Sequence, residues 1–327
     1  MPVRVGFIGA GGIAGAHFDT LSQVSDAHLV AFCDVATERA EAAARRFEGK
    51  AYTDVRKMLE TETLDAVYVC LPPHAHKNAE ILVAQKGCAL FVEKPLANNM
   101  RTAEKIAVAV QDAKILTSVG YHFRYFDATE RLRRMLNVKG TPEVAMTNGY
   151  WLGGFPGVSW WRRLDQSGGQ LVEQCTHIVD LARYLVGDIR RVYCRAAQRA
   201  MHNLYEDSTV PDVTALTVEY SNGAIGNFQT AALLGSVGQT GLDLMAHNTF
   251  YELRGNTLTV RGQGSETHTY GHSNNAYLEE DRALIKAVKT GKRAGIRSTY
   301  ADALKSLEVT LAANQSAKSG KPVTLSS

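Results

Sequence analysis

The chain has 327 residues, 45% hydrophobic and 21% charged, and a formal net charge of +3. That length exceeds what one hydrophobic core ordinarily holds, so two domains are expected, and so balanced a charge argues against a nucleic-acid partner. Met1-Pro2-Val3 leads straight into an apolar run without the pattern of a signal peptide, and no apolar stretch approaches the ~20 residues that span a bilayer, so no membrane partner is expected. The cysteines Cys33, Cys70, Cys88, Cys175 and Cys194 are odd in number and show no C-x-x-C spacing, which reads as reduced, buried thiols in a cytoplasmic protein, with no metal site.

The chain opens on a strand from Val3 to Ile8, and Gly9-Ala10-Gly11-Gly12-Ile13-Ala14 then turns into a helix. Gly9, Gly11 and Ala14 occupy the small positions of G-x-G-x-x-G/A: the tight turn, the close approach of backbone to a pyrophosphate, and the packing of helix on sheet. The next strand, His28–Cys33, ends at Asp34, where a carboxylate can accept hydrogen bonds from the ribose hydroxyls of NAD and repel the 2′-phosphate of NADP. The same acid also suits an ordinary helix cap. Helices are expected from Thr37 to Phe47, Asp54 to Glu60, His76 to Lys86 and Asn99 to Ala113. They alternate with strands at Ala51-Tyr52, Ala66–Leu71, Ala89–Val92 and Leu116–Gly120. That alternation predicts a doubly wound parallel sheet, whose ligands bind beyond the carboxyl ends of the strands. Asp34, Pro72 and Glu93-Lys94-Pro95 all fall at such ends.

From about residue 121 the pattern changes, giving an expected first domain over 1–121 and a second over 122–327. Helices are expected at 126–138 and 168–185. Six runs with strand character follow without intervening helices, from Arg190–Ala196 to Leu258–Val260, with an Asn-Gly turn at Asn222-Gly223. The second domain therefore reads as α/β with an open, largely antiparallel sheet, whose uncovered face suits a subunit contact in a homodimer or homotetramer. Helices at 275–290 and 299–319 close the chain, the last packing back on the first domain.

Two constellations can carry chemistry. A lysine at a strand end beside a nicotinamide can stabilise a developing alkoxide, as Lys94 would; the spacing also suits a surface lysine before a loop proline. On a continuous 168–185 helix, Glu173, His177 and Asp180 share one stripe at about 100° per residue. Glu173 could then orient His177 as a general base, or the stripe could simply be solvated. His74 and His76, two residues apart, cannot share a helical face as metal ligands. Cys175 points off the stripe and reads as a small buried residue. Trp160-Trp161-Arg162-Arg163 could line a sugar or nicotinamide pocket or a domain interface.

Together these residues resemble the Gfo/Idh/MocA family (glucose–fructose oxidoreductase, inositol dehydrogenase and rhizopine catabolism). The resemblance runs through Gly9–Ala14, Leu71–His76, Glu93-Lys94-Pro95, Ser167–Asp180 and Ala312–Val323. It implies a Rossmann domain followed by an α/β domain, and reversible oxidation of a secondary hydroxyl on a sugar, inositol or related polyol. It implies an NAD site at Gly9, Gly11, Gly12, Ile13, Asp34, Leu71, Pro72, His76, Glu93 and Lys94, with Lys94, His177 and Glu173 catalytic. Lys94, Tyr121, Arg124, Trp161, Arg162 and His177 would meet substrate. Glu173 stands where the family usually has aspartate, one methylene shorter. Two other readings share the scaffold: cleavage of a glycosidic group by transient oxidation with NAD recycled in place, and a non-catalytic dinucleotide or sugar sensor.

Overall fold

A computed structural model describes residues 1–262 and 267–326 of an α/β protein. Two compact units divide the chain, one of Met1–Tyr125 with Asn275–Leu304, the other of Phe126–Asn274 with Lys305–Ser327. This differs from the single cut after residue 121 that the sequence suggested, because the chain returns to the first unit at residue 275. Leu284 and Ile285 of helix Ala276–Thr290 complete a core built around Phe7, Phe18, Phe32, Tyr68 and Phe91.

The first unit is built on a parallel sheet of β1 (Val3–Ile8), β2 (Ala27–Cys33), β3 (Lys50–Tyr52), β4 (Ala66–Val69), β5 (Ala89–Val92) and β6 (Thr117–Val119), in the order β3-β2-β1-β4-β5-β6. β4 and β5 are buried along their whole length, as strands of a doubly covered parallel sheet must be. The strand order reverses between β1 and β4, so the crevice for a ligand opens beyond their carboxyl ends, at Gly9 and Leu71. Helix starts follow the capping chemistry: Asp54 accepts from the Lys57 N–H and Asn99 from the Thr102 N–H, both at 2.9 Å. The helix expected from His76 begins at Ala79, since Pro73–Ala75 forms a 3-10 turn ahead of it.

The second unit carries β7 (Val144–Leu152), β8 (Ile189–Ala197), β9 (Val213–Tyr220), β10 (Ile225–Ala231), β11 (Gln239–Ala246), β12 (Thr249–Arg254), β13 (Thr257–Arg261), β14 (Thr267–Gly271) and β15 (Val323–Thr324). Among the described residues these nine form one sheet, antiparallel except between β7 and β10, in the order β14-β13-β12-β11-β7-β10-β9-β8-β15. The six expected strands are β8–β13. The central strand β7 was not among them, and it carries an Asn148-Gly149 pair of turn-like composition. Gly149 is there for space, since a Cβ would lie 2.5 Å from the Phe228 ring and 2.7 Å from Ile178. One face of the sheet is packed; the other exposes Tyr193, Thr217 and Ile225.

The single helix expected over 168–185 is corrected. Gly168 and Gly169 both take left-handed backbone (φ +77° and +82°), a short turn spans Gln170–Glu173, and a separate helix spans Thr176–Val186. Between them the Cys175 N–H bonds back five residues to the Gln170 carbonyl and the His177 N–H only three, to Gln174. Glu173 and His177 therefore stand on two successive helical segments rather than on one continuous helix.

Candidate active site

At the first turn, each glycine has its own reason. Gly9 sits at φ +91°, and a Cβ there would lie 2.3 Å from the Cys70 carbonyl oxygen, so only glycine fits between β1 and β4. At Gly11 and Gly12 a Cβ would meet nothing within 4 Å. The space in front of them is open, and helix Gly12–Leu21 starts there without a side-chain cap, leaving its first N–H groups available to an anion. Ile13, on that helix, packs against the core.

Asp34 is buried and ties two loops together: Oδ2 accepts from the Ala10 N–H and Oδ1 from the Ala36 N–H, both at 2.8 Å. Each carboxylate oxygen retains a further lone pair for a ribose hydroxyl. An open glycine turn, an uncapped helix and an acid at the end of β2 thus fit a dinucleotide.

Beyond β4, Leu71 and Pro72 lead into the loop that His76 fixes. The buried His76 ring faces the Leu71 carbonyl at 2.9 Å through Nε2 and the Glu80 carboxyl through Nδ1. A carbonyl only accepts, so Nε2 carries a proton. His76, expected at the cofactor, thus holds the shape of the loop.

At the end of β5, Glu93 is turned inward and is 3% exposed. Oε2 accepts from the Lys94 N–H at 2.9 Å, and Oε1 faces His17 Nε2 at 3.0 Å. A Cβ at Gly120 would sit 2.7 Å from Oε1, so glycine makes the room for this carboxylate. Glu93 was expected at the cofactor; within the protein its oxygens meet Lys94 and His17. Nearby His122 is buried and its pKa is pushed down to about 3, by burial first and then by the positive charges of Lys94 and His17. Its ring stacks on Tyr277 at 4.0 Å. Tyr121 is fully buried. Arg124, an expected substrate contact, is buried, pairs with Asp302 and donates to the Arg297 carbonyl, both at 2.6 Å.

In the second unit, Glu173, His177 and Asp180 are all buried, which removes the solvated-stripe reading. Asp180 accepts from the Ser306 hydroxyl at 2.6 Å, and Arg183 donates to Ser306 Oγ at 2.7 Å. The Gly168 carbonyl accepts from Asn314 at 2.7 Å, so the closing helix fixes the glycine turn. The His177 ring lies against Trp151, centroids 6.0 Å apart and 23° between planes. Trp160 and Trp161 stack at 5.9 Å, and the buried Trp161 indole N–H has no hydrogen-bond partner among the described residues. Arg162 pairs with Asp207 at 3.1 Å and lies over the Tyr205 ring at 4.8 Å. The Cys175 thiol is buried, and burial raises its pKa far above the usual range, so it is no nucleophile.

Residues 3–121 match the family described as "Oxidoreductase family, NAD-binding Rossmann fold", and residues 129–241 match the "GFO/IDH/MocA C-terminal domain". The chain belongs to the Gfo/Idh/MocA family. It is similar to the scyllo-inositol 2-dehydrogenase (NAD(+)) of Bacillus subtilis, 26% identical over 99% of this chain and 96% of that one. It is also similar to the myo-inositol 2-dehydrogenase of Thermotoga maritima, 24% identical over 89% of each. Among solved structures, levoglucosan dehydrogenase in complex with NADH and levoglucosan shares the fold at a TM-score of 0.88, with 20% identity and 99% of each chain covered. GenD2 from gentamicin A biosynthesis, in complex with NAD, gives 0.86 at 21% identity, covering 100% of this chain and 97% of that one.

The family motifs do not include several groups that shape the site. Ser306 and Asp281 went unsingled in the sequence, as did His17. One signal was present for His17: it shares a helical face with Ala14, Phe18 and Leu21, and an ionisable group on an apolar face asks for a buried partner.

Proposed function

We propose that this Gfo/Idh/MocA protein is an NAD-dependent dehydrogenase acting on a secondary hydroxyl of a sugar, inositol or related polyol. The observation that carries the proposal is the open Gly11-Gly12 turn before an uncapped helix, with Asp34 at the neighbouring strand end, on a chain whose full-length relatives are inositol dehydrogenases. The Gly9–Ile13 turn and the Leu71-Pro72 loop would hold the dinucleotide. Asp34 favours NAD over NADP by charge. Bound there, NAD supplies a hydride acceptor at its nicotinamide.

Lys94 and His177 are proposed to act on the same hydroxyl. His177 removes the O–H proton, and the Lys94 ammonium stabilises the alkoxide character that develops on the oxygen. Glu173 raises the basicity of His177 and steadies the imidazolium. Trp151 limits the ring's orientation, and the indole N–H of Trp161 together with Arg162 contacts the substrate's other hydroxyls. Tyr121 and Arg124 act by holding the neighbouring chain in place. The uncovered face of the second unit's sheet is proposed to join subunits into a homodimer or homotetramer, and the buried reduced thiols suit a cytoplasmic protein.

The test is nicotinamide absorbance after mixing protein and NAD with inositols, aldoses and glycosides. Steady accumulation of NADH with one class supports the dehydrogenase and names its substrate. Consumption of a glycoside with at most one equivalent of NADH would replace it with the cofactor-recycling reading. That reading is not favoured, since the relatives named above are dehydrogenases.

A further inference from the structure

We infer that His17 is a positioning residue for the reaction: a buried imidazolium clamped between Asp281 and Glu93 that fixes Glu93 and, through it, the backbone of Lys94. The inference rests on the proposed role of Lys94.

His17 is completely buried. Its Nδ1 is 2.9 Å from Asp281 Oδ1 and its Nε2 is 3.0 Å from Glu93 Oε1. Two ionised carboxylates offer only acceptors, so both ring nitrogens must donate and the ring carries a charge. Asp281 is itself held by the Thr20 hydroxyl on its other oxygen. The second oxygen of Glu93 accepts the Lys94 N–H at 2.9 Å. The connected path is therefore Thr20, Asp281, His17, Glu93, Lys94, and the absence of a side chain at Gly120 makes room for the Glu93 carboxylate.

Packing alone does not call for this arrangement. The His17 ring lies 4.7 Å from Phe91 and 5.4 Å from Tyr68, where an apolar ring would sit well. Removing three charges from water is costly, and apolar replacements of buried ion clusters are often neutral or stabilising. What the cluster supplies is a carboxylate of fixed charge and direction one residue from Lys94. The other titratable groups facing it do not compete. Tyr68 and Cys70 from β4 and its end are held protonated by burial first, then by nearby carboxylates. Tyr277 from helix Ala276–Thr290 is raised in the same way, by burial and then by Glu93 and Glu280, and His122 is neutral.

The experiment compares His17→Gln, His17→Gln/Asp281→Asn and Lys94→Met with the wild-type full chain, using a substrate that the wild type oxidises. Each is followed by kcat and KM across pH, NADH binding by fluorescence, and circular dichroism. With glutamine in place of His17, two buried carboxylates flank it without a cation, and one of them takes up a proton. The expected result is a kcat lowered about 10- to 100-fold with KM little changed, and an acid limb of the kcat profile displaced to higher pH. In the double variant the introduced glutamine amide can donate to Glu93 and accept from the introduced asparagine, so the acid limb returns toward wild type and part of kcat is recovered. A folded His17→Gln enzyme with wild-type kcat and pH profile overturns the inference. So does a double variant that folds but regains neither. If His17→Gln alone does not fold, the double variant decides by whether its profile matches the wild type. Full turnover in Lys94→Met would instead overturn the reading of Lys94, a separate outcome.

Discussion

The corners around His17 and His122 belong to the same unit, and both rings are buried, yet one is charged and the other neutral. His17 lies between two carboxylates; burial alone would lower its pKa, but Asp281 and Glu93 outweigh it and hold the ring protonated well above 6.5. His122 meets the positive charges of Lys94 and His17, so burial and repulsion act together and its pKa falls to about 3. The lesson is that depth does not set the charge of an imidazole; the sign of the groups around it does. Around Lys94 this gives a fixed charge on one side and a neutral ring on the other.

The strongest way to break this picture is at the reacting groups themselves. Lys94→Met and His177→Ala should each lower kcat by about 10²- to 10⁴-fold with circular dichroism unchanged. Near-normal turnover in either variant removes that residue from the chemistry.

Next come the dinucleotide residues. Asp34→Ser with an arginine introduced at Val35 should move the ratio of kcat/KM for NAD over NADP by about 10- to 100-fold, the worth of charged hydrogen bonds gained and lost. An unmoved ratio would take Asp34 out of the site. Gly9→Ala and Gly11→Ala should separate folding from binding. The first places a Cβ against the Cys70 carbonyl and should reduce soluble folded protein. The second meets nothing in the protein and should weaken only NADH binding, read by fluorescence titration.

The smallest effects concern stability against pH, where the two histidines should act with opposite sign. For His17 the folded pKa is raised, so its contribution is fully present below about 6.5 and is lost as pH rises through the raised value. For His122 the folded pKa is lowered, so the unfolded chain binds the extra proton and stability falls as pH drops from about 6.5 toward about 3. Melting curves of wild type and His122→Phe should therefore diverge on the acid side, with the variant less acid-sensitive. Identical acid slopes would contradict the neutral His122.

Much of the first unit was legible because its physics is local. Buried parallel strands read as apolar runs, Asp54 and Asn99 announce their helices, and Gly9 and Gly11 follow the demands of a turn that meets a phosphate. The second unit was harder. β7 carries an Asn-Gly pair of turn-like composition, β14 (Thr267–Gly271) is short and polar, and nothing between Glu173 and Thr176 marks the break that separates Glu173 from the helix of His177. The His17 network was illegible for another reason: its partners lie 76 and 264 residues away, beyond any periodicity. Family resemblance pointed to Lys94 and His177, and the structure adds the protein partners that hold His76 and Arg124.

The first unit leaves the chain at Tyr125 and resumes at Asn275. On a ribosome adding about 5–20 residues per second, the early strands emerge and then wait on the order of ten seconds or more for the segment that closes their core. Through that interval His17 has no Asp281, and the apolar faces meant for Leu284 and Ile285 stay uncovered. The nascent nucleotide-binding half thus stays without its closing apolar segment through that interval, and its native charge pattern is among the last things that synthesis completes.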